Sequence, residues 1–464
     1  MASRTQRDFT HGSIPEHLIS FSLPMFAGSL LQAMHSIANS IWVGRFLGPE
    51  ALGAVSLSFP MIMALLALVM GLTMATTILV AQYRGANNEP MVRRTVSSSM
   101  ALLAVLGVAL SVIGVVFRGP LIALVSPPPE LKGMATSYFG IFMAGMIFSF
   151  MYNVLTALLR GLGDAKTPLY FLVVSTGINI ALDPLLILGV GPLPKMGVNG
   201  AAVATIIAQA ASSLLLLGWV RKNTNMLPAT LAEWKVDGAL IKAVVKIGMP
   251  SGIQQALVSF GMVFVTAIVS SFGSTAIAAY GAASRFDQFG FMPPMAIGMA
   301  VSSMVGQNMG AGDHDRVKAT VRWATIITVA VTAVLSAIAM AWPRILMVLF
   351  TDDVHVLAEG SSYLRYMGPA YIAFAMIFIY GGAMRGAGDT VPPMIFAVLA
   401  LWVFRVPLAY WFSRSMGTSG VWLGIAVSAF VGMAIHWAYY ATGRWRKAVI
   451  TRRPPPAVEA SSAD

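Results

Sequence analysis

The sequence predicts an all-α integral membrane protein, with twelve transmembrane helices in two pseudo-symmetric six-helix lobes around a central cleft. Three observations support this fold class: the composition, twelve apolar runs of membrane-spanning length, and an internal repeat. Of 464 residues, 57% are hydrophobic and only 10% are charged, and the mean hydropathy is +0.76. Soluble domains carry about 25% charged residues, so this composition excludes an ordinary soluble enzyme and a disordered chain.

The net charge of +12 lies in short loops between the apolar runs. This distribution is the positive-inside pattern of membrane proteins rather than a basic face for nucleic acid, so we expect no nucleic-acid partner. The chain has no cysteine, which excludes disulfides, thiolate metal sites and cysteine nucleophiles.

A bilayer core of about 30 Å needs roughly 20 apolar residues per helix, and twelve runs meet that length. In the first half of the chain they lie near 18–44, 54–82, 95–117, 134–159, 168–190 and 200–220. In the second half they lie near 243–271, 276–308, 323–343, 361–384, 392–413 and 419–441. The predicted parts are therefore an N-terminal segment 1–17, an N-terminal lobe 18–220, a linker 221–242, a C-terminal lobe 243–441 and a tail 442–464.

The basic residues predict the orientation of these spans. Twenty-one Lys and Arg fall in the N-terminal segment, the even-numbered connections and the tail, and six fall in the odd-numbered connections. The remaining three, Arg285, Arg365 and Arg405, lie inside spans. The positive-inside rule then makes both termini and the linker cytoplasmic. The basic, Pro-rich tail is typical of a disordered segment, and the polar first 17 residues lack a signal-peptide cleavage pattern.

The two halves repeat each other at an offset of 225 residues. LLRGLGDAKTPLYF (158–171) aligns with AMRGAGDTVPPMIF (383–396), and AQYRGA (81–86) aligns with GQNMGA (306–311). Pro24 pairs with Pro250 at 226. A repeat of six spans enters the membrane in the same sense each time, so an axis along the membrane normal should relate the two lobes. Each RGxGD block lies at a turn between helices, where Asp can cap the following helix.

These blocks, with FSLPMFAGSLLQ (21–32), WVGRFLGPEALGAVS (42–56), NIALDP (179–184) and GVNGAAVAT (197–205), resemble the MATE (multidrug and toxic compound extrusion) family. The resemblance covers about residues 14–441 and is nearest to the DinF-like prokaryotic branch. It implies a monomer in a prokaryotic plasma (inner) membrane that needs no cofactor. It also implies export of bulky, often cationic, small organic compounds by alternating access, in exchange for H⁺ or Na⁺.

An acid in the fifth predicted span is the first candidate for ion coupling, because a charge in the bilayer core is costly and usually functional. Asp183 lies one helical turn after Asn179, on the same face. Pro184 has no N–H, so the carbonyl of Ile180 loses its helical partner. Such oxygens suit a small hard cation, or a proton held on the acid. The alternative is a neutral packing acid that is hydrogen-bonded across the lobe.

The family resemblance adds two further coupling residues and one departure. It implies that Thr205 contributes a hydroxyl oxygen. In the DinF-like pattern an aspartate follows the first-helix proline by fifteen residues, where this chain has Asn39. An amide cannot take up a proton near neutral pH, which leaves Asp183 to titrate in this lobe. The other main branch has acids in the seventh and tenth helices that are absent here. The coupling ion, H⁺ or Na⁺ at these four residues, therefore stays open.

The second predicted lobe has its own polar cluster. Arg285 and Asp287 lie near the start of the eighth span, and because they are two residues apart they should point to different faces of the helix. They are secondary coupling candidates. A structural ion pair between Asp287 and Arg405 is an equal alternative.

Three side chains are candidates for contact with substrate in the cleft. Gln32 lies seven residues before Asn39 and matches a family substrate-contact position, and Asn153 and Gln255 are similar amides in the fourth and seventh spans. Two alternatives to drug export fit the sequence less well. A flippase for lipid-linked precursors often has extra helices or more cationic residues in its cavity. A membrane-embedded enzyme would need a His/Asp metal cluster or a Ser/His pair within the spans, and the sequence shows neither.

Overall fold

The computed structural model describes residues 6–125, 127–189, 194–227 and 236–448, and within these ranges the chain is helical without strands. The N-terminal half contains α1 (Ile14–Gly85), α2 (Glu89–Val116), α3 (Arg118–Ala123), α4 (Pro129–Ala144), α5 (Met146–Gly161), α6 (Lys166–Leu188) and α7 (Val198–Asn223). The C-terminal half contains α8 (Gly238–Ser270), α9 (Ser274–Ala311), α10 (His314–Ala341), α11 (Pro343–Val348), α12 (Val354–Gly386), α13 (Val391–Val398), α14 (Val406–Met416) and α15 (Thr418–Thr442).

The first two predicted spans form one continuous helical run, α1. Its 72 residues would extend about 108 Å at 1.5 Å per residue, far more than one bilayer crossing. The run is broken at Gly48, whose φ of 85° and ψ of −179° are not helical. Glycine adopts a positive φ without strain, and Pro49 disfavours a helical residue before it. The connection that the sequence predicts between the two spans is therefore helical on both sides of a single sharp break.

Two other spans are also interrupted. α4 and α5 meet at a bend of 46° near Gly145. Between α13 and α14 the chain forms a π-helical segment, Leu399–Arg405, in which the N–H of Val406 bonds to the carbonyl of Leu401. Pro407 follows at once and has no N–H to donate, so the wider turn adjusts the backbone around it.

Twelve crossings result from this arrangement. Ten helices or helical runs are long and apolar enough to cross a bilayer, and the bent α4–α5 pair makes an eleventh. α1 counts as one of them and holds two crossings, which gives the twelve that the sequence predicts. The middle of the predicted linker (228–235) and the predicted disordered tail beyond residue 448 lie outside the described residues.

The helices pack as two bundles that meet through α1. The second half of α1 lies beside α5 in the first bundle, and it also packs against α8 and α9 of the second. The first half of α1 lies against α6 at Gly28. The first bundle has a continuous apolar core drawn from α1 to α7, which Leu240, Val244 and Ile247 at the start of α8 also join. In the second bundle, Leu18 and Phe21 near the start of α1 join the core of α9, α10 and α12. The N-terminal helix thus bridges the two lobes.

At one end of the bundle, which we call the closed end, the two lobes are in backbone contact. A Cβ atom added to Gly85 of α1 would overlap the backbone oxygen of Gln307 in α9, and one added to Gly310 would overlap that of Gln82. Gln82 Nε2 donates to the carbonyl of Gly386 (3.0 Å). Gln307 Nε2 donates to the carbonyl of Gly161 (2.9 Å). Both glutamine–glycine pairs are related by the 225-residue repeat.

The start of the chain is fastened to the same end. Phe9 is fully buried, and its N–H donates to Gln307 Oε1 (3.0 Å). Its carbonyl accepts from Asn308 Nδ2 (3.3 Å) and from Arg316 Nε (2.8 Å). Arg316 also donates to the carbonyls of His11 and Gly12. This segment therefore completes the closed end, although its sequence is polar.

Candidate functional site

Three of the four predicted coupling residues are brought together in the first lobe. Asp183 and Asn179 lie on one face of α6, and both are almost fully buried, with 1% and 2% exposure. The Asn179 amide is satisfied at both ends when its nitrogen faces the acid. In that orientation Nδ2 donates to Asp183 Oδ2 (3.1 Å) and Oδ1 accepts from the backbone N–H of Thr205 (3.1 Å). The Thr205 hydroxyl donates to the carbonyl of Ala201 (2.9 Å).

The second carboxylate oxygen of Asp183 differs from the first. Oδ1 is buried and has no hydrogen-bond partner in the described part of the chain. A buried acceptor without a donor is costly, so this oxygen is the natural place for a proton or a cation. Tyr138 of α4 lies within electrostatic range of the acid. Pro184 stays inside the continuous helix α6.

Asn39 stands at the level of this acid but does not bond to it. Gly28 of α1 lies against Leu169 and Leu172 of α6. Both helices begin at the closed end. Asn39 lies eleven residues after Gly28 in α1, and Asp183 lies eleven residues after Leu172 in α6, so the two side chains are at a similar depth. Asn39 is half-buried and has no side-chain hydrogen bond within the described ranges. The register thus puts the amide at about the depth of the acid, and its side chain has no hydrogen bond among the described residues.

The three predicted substrate residues have different surroundings. Gln32 is exposed on α1, two turns nearer the closed end than Asn39. Gln255 is exposed on α8. Asn153 is half-buried, and its Nδ2 donates back to the carbonyl of Ser149 (2.8 Å). Of the three, Gln32 and Gln255 have an exposed side-chain amide with no hydrogen bond among the described residues.

In the second lobe Asp287 is held by tyrosines. Tyr371 donates its hydroxyl hydrogen to Asp287 Oδ1 (2.5 Å), and Tyr363 donates to Oδ2. Asp287 is buried, with 7% exposure. Both of its oxygens therefore have donors, which distinguishes it from Asp183.

The two arginines near Asp287 do not form a contact ion pair with it in the described structure. Arg405 is buried, donates from Nε to Ser428 Oγ (3.0 Å), and lies 5.1 Å from the centre of the Phe374 ring. It is within electrostatic range of Asp287. Arg285 is exposed on α9. The expectation that Arg285 and Asp287 face different ways matches the structure, whereas the alternative of a direct Asp287–Arg405 pair does not.

The aspartates of the two RGxGD blocks have different hydrogen-bond partners. Asp164 Oδ1 accepts from the N–H groups of Lys166 and Thr167 (both 3.0 Å), and Oδ2 accepts from the Thr167 hydroxyl (2.7 Å). It caps α6 as the sequence suggests. Asp389 instead accepts from the Tyr439 hydroxyl (2.7 Å), and burial raises the pKa of its carboxyl group.

Sequence reasoning missed the contacts that close one end of the cleft. The repeat pairs the glutamines of AQYRGA and GQNMGA, but nothing in it shows that each reaches the opposite lobe. The anchoring of Phe9 had no local signal, because a single aromatic residue in a polar segment predicts no particular contact. Among the described residues, no three His, Asp or Glu side chains are grouped as a metal site would need.

Comparison with known proteins decides the family. The MatE family model matches residues 24–185 and again residues 250–411, once in each lobe. This chain belongs to the MATE family. The two matches begin at Pro24 and Pro250, the pair that the internal repeat had aligned. The members of this family are membrane transporters rather than enzymes, and the twelve-helix, all-α membrane fold is confirmed.

The relatives of this MATE protein cover nearly its whole length. It is 32% identical over 437 residues to the "Probable multidrug resistance protein YoeA" of Bacillus subtilis (strain 168), covering 93% of this chain and 94% of that protein. A solved structure described as the "outward-facing conformation of a multidrug resistance MATE family transporter" has a TM-score of 0.88 and 25% identity. That match covers 96% of this chain and 100% of the other.

A second solved structure is a transporter of the MOP superfamily from Pyrococcus furiosus Vc1 (DSM3638). It has a TM-score of 0.88 and 25% identity, with 97% of this chain and 100% of that chain covered. Its description states that reverse polarity of its binding pocket suggests a different function.

Proposed function

We propose that this MATE protein is a secondary-active exporter that moves organic compounds out of the cell in exchange for H⁺ or Na⁺. The relatives described as multidrug resistance proteins support this function. The closed end carries the RGxGD turns and the N-terminal segment, where the sequence concentrates Lys and Arg. By the positive-inside rule this end is cytoplasmic, so the cleft opens to the outside in this conformation.

The unpartnered oxygen of Asp183 is the observation that carries the coupling proposal. A proton on Oδ1, or a cation beside it, removes the cost of a buried and half-satisfied carboxylate. Compound and ion need not touch one another, because each favours a different conformation of the same cleft. Ion arriving from outside occupies Asp183 and favours release, and the empty acid favours reloading from the cytoplasm.

H⁺ fits the arrangement better than Na⁺. Asn179 presents its N–H to Asp183 and its oxygen to Thr205, so a proton on the acid requires no change in the amide. Coordination of Na⁺ by Asn179 would require that the amide turn over and give up its bond to Thr205. Asn39 cannot titrate near neutral pH, so Asp183 is the ionisable group among the four predicted coupling residues.

Asp287 and Arg285 remain secondary coupling candidates. Both oxygens of Asp287 accept from tyrosines, so a proton on it would displace one of those donors. Asp183 has a free oxygen and needs no such exchange. We therefore place coupling in the first lobe.

The cellular setting is also a proposal. The protein would act as a monomer in a prokaryotic plasma membrane with both termini in the cytoplasm, since a single chain encloses the cleft. The relatives named above are prokaryotic, and the orientation depends on the distribution of Lys and Arg.

The test is efflux of a fluorescent organic compound from proteoliposomes under separately imposed pH and sodium gradients. Wild type should export under the pH gradient, and Asp183→Asn should export under neither gradient. Asp389→Asn is the matched control, because it removes a carboxylate at the closed end and should keep coupled efflux. Coupled efflux by Asp183→Asn at the wild-type rate would refute the assignment of the acid.

A further inference from the structure

An arginine within the membrane-spanning part of α9 has no counter-charge. Arg285 lies eleven residues from the start of α9 and is exposed. Its guanidinium has no ion pair and no hydrogen bond among the residues that the structure describes. Asp287, the nearest acid in sequence, is turned away and held by two tyrosines. Lipid disfavours an arginine, by about 2.5 kcal/mol or more at the centre of a membrane helix, so a water-filled space is the more favourable surrounding for this guanidinium.

The face that carries Arg285 looks across at the first lobe. Counting back from Gly306 in steps of seven residues, two helical turns each, gives Met299, Met292 and Arg285. Gly306 packs against Ala81 of α1 at the closed end. Along this stripe Met299 is half-buried, Met292 is buried, and Arg285 is exposed. The helical register therefore points Arg285 toward the space between the lobes.

The neighbouring helix contributes uncharged polar groups to the same wall. Gly248 and Gly252 of α8 lie against Gly71 and Ala67 of α1. Seven residues further along α8, on the same face, are Gln255 and Ser259, and both are exposed. The second lobe thus contributes one cation, Arg285, and two uncharged polar side chains, Gln255 and Ser259, to this wall.

The described part of the opposite wall formed by the second half of α1 is apolar and uncharged at this level. Seven residues before Ala67 and Gly71, on the same face of α1, are Pro60 and Ala64, and both are exposed, as is Met63 between them at 42%. The described acid of the first lobe at this depth, Asp183, is 1% exposed and cannot neutralise a charge in the cleft. A compound between these walls meets a hydrophobic surface on one side and a positive charge on the other.

We propose that the cleft takes amphipathic organic anions, with Arg285 as the group that binds their carboxylate, sulfonate or phosphate. This inference rests on the proposed export function and replaces the cationic compounds that the family resemblance implies. A guanidinium binds such oxyanions through two parallel N–H donors. The aromatic or aliphatic body of the compound packs on Pro60, Met63 and Ala64. A cationic compound of the same shape would be repelled by Arg285.

Two rhodamine dyes test the charge preference, since they share a xanthene ring system and differ in net charge. One is a sulforhodamine, which is anionic, and the other is a cationic rhodamine ester. Fluorescence anisotropy of each dye with the purified full-length protein gives the apparent Kd without any transport. Wild type should bind the sulforhodamine more tightly, and Arg285→Gln should weaken that binding about ten- to hundredfold. Arg285→Lys should retain part of it.

Arg365→Gln is the matched control. Arg365 is also exposed, and it also lies eleven residues from the first residue of its helix, at the end of the bundle opposite the closed end. Its helix, α12, packs mainly against α9, α10 and α15 rather than facing the first lobe. This variant should bind both dyes as wild type does.

The inference is overturned if wild type binds the cationic dye as tightly as the sulforhodamine, or binds neither. It is also overturned if Arg285→Gln weakens both dyes equally, as a purely structural role would. Failure of the export function gives a different result. In that case the sulforhodamine would bind in an Arg285-dependent way, but proteoliposomes would export neither dye under a pH or a sodium gradient.

Discussion

We predict that two glutamines hold the two lobes together at the closed end of the cleft. Gln82 and Gln307 each donate to a glycine carbonyl in the other lobe, over 3.0 and 2.9 Å. These bonds exist only while the lobes are together at this end. Changing both residues to alanine should therefore shift the protein from the conformation described here toward one that is open at the closed end.

The size of the shift follows from the bonds that are lost. A hydrogen bond contributes about 0.5–1.5 kcal/mol net, so two of them contribute about 1–3 kcal/mol. Such an energy corresponds to about a 5- to 150-fold change in the ratio of the two conformations. Both glutamines are almost fully buried, with 0% and 1% exposure, which favours the upper part of that range.

Distance measurements between spin labels can detect the shift directly. The chain has no cysteine, so labelled cysteines can be introduced without removing any. Glu89→Cys with His314→Cys reports on the closed end, and Leu124→Cys with Leu349→Cys reports on the open end. All four side chains are exposed. In the double alanine variant the first distance should lengthen and the second should shorten.

Gln254→Ala provides the control for this experiment. Gln254 Nε2 donates to the carbonyl of Pro393 (3.3 Å), which is the same kind of bond within one lobe. Its loss should leave both distance distributions unchanged. If the double variant at Gln82 and Gln307 also leaves them unchanged, the two bonds do not hold the closed end and the reasoning is wrong.

Three further outcomes follow from other contacts. Gly310→Ala should prevent closure, because its Cβ would overlap a backbone oxygen of α1, and the closed-end label distance should lengthen. Asp164→Ala should lower the stability by about 1–2 kcal/mol through loss of the α6 cap, measured as a fall in the unfolding temperature in detergent. Tyr371→Phe should cost about 1–3 kcal/mol, since it leaves one oxygen of Asp287 without its donor; the same unfolding assay reports it.

The sequence could predict the fold because each piece of evidence for it is local or periodic. A run of about 20 apolar residues predicts a span wherever it occurs, and the repeat predicts two lobes. The break at Gly48 was not predicted, because hydropathy finds apolar runs and does not report whether the backbone between them stays helical. The bend near Gly145 was missed for the same reason.

The candidate site was predicted where residues are close in sequence. The four-residue spacing of Asn179 and Asp183 places them on one face of a helix, and the structure shows the hydrogen bond between them. The tyrosines on Asp287 could not be predicted, since they lie 76 and 84 residues away on a helix whose rotation the sequence does not fix. The partners of Phe9 lie about 300 residues away.

The most direct test of the account is the effect of pH on binding of the sulforhodamine, compared between wild type and Asp183→Asn. The sulfonate stays ionised throughout, so a change in affinity reports on the protein. If one proton on Asp183 competes with the compound, the apparent Kd of wild type should weaken as the pH falls, by at most about tenfold per pH unit. Asp183→Asn should bind with the same Kd at every pH. A variant that keeps the full pH dependence of wild type would contradict the account, since a group other than Asp183 would then link the ion to the compound.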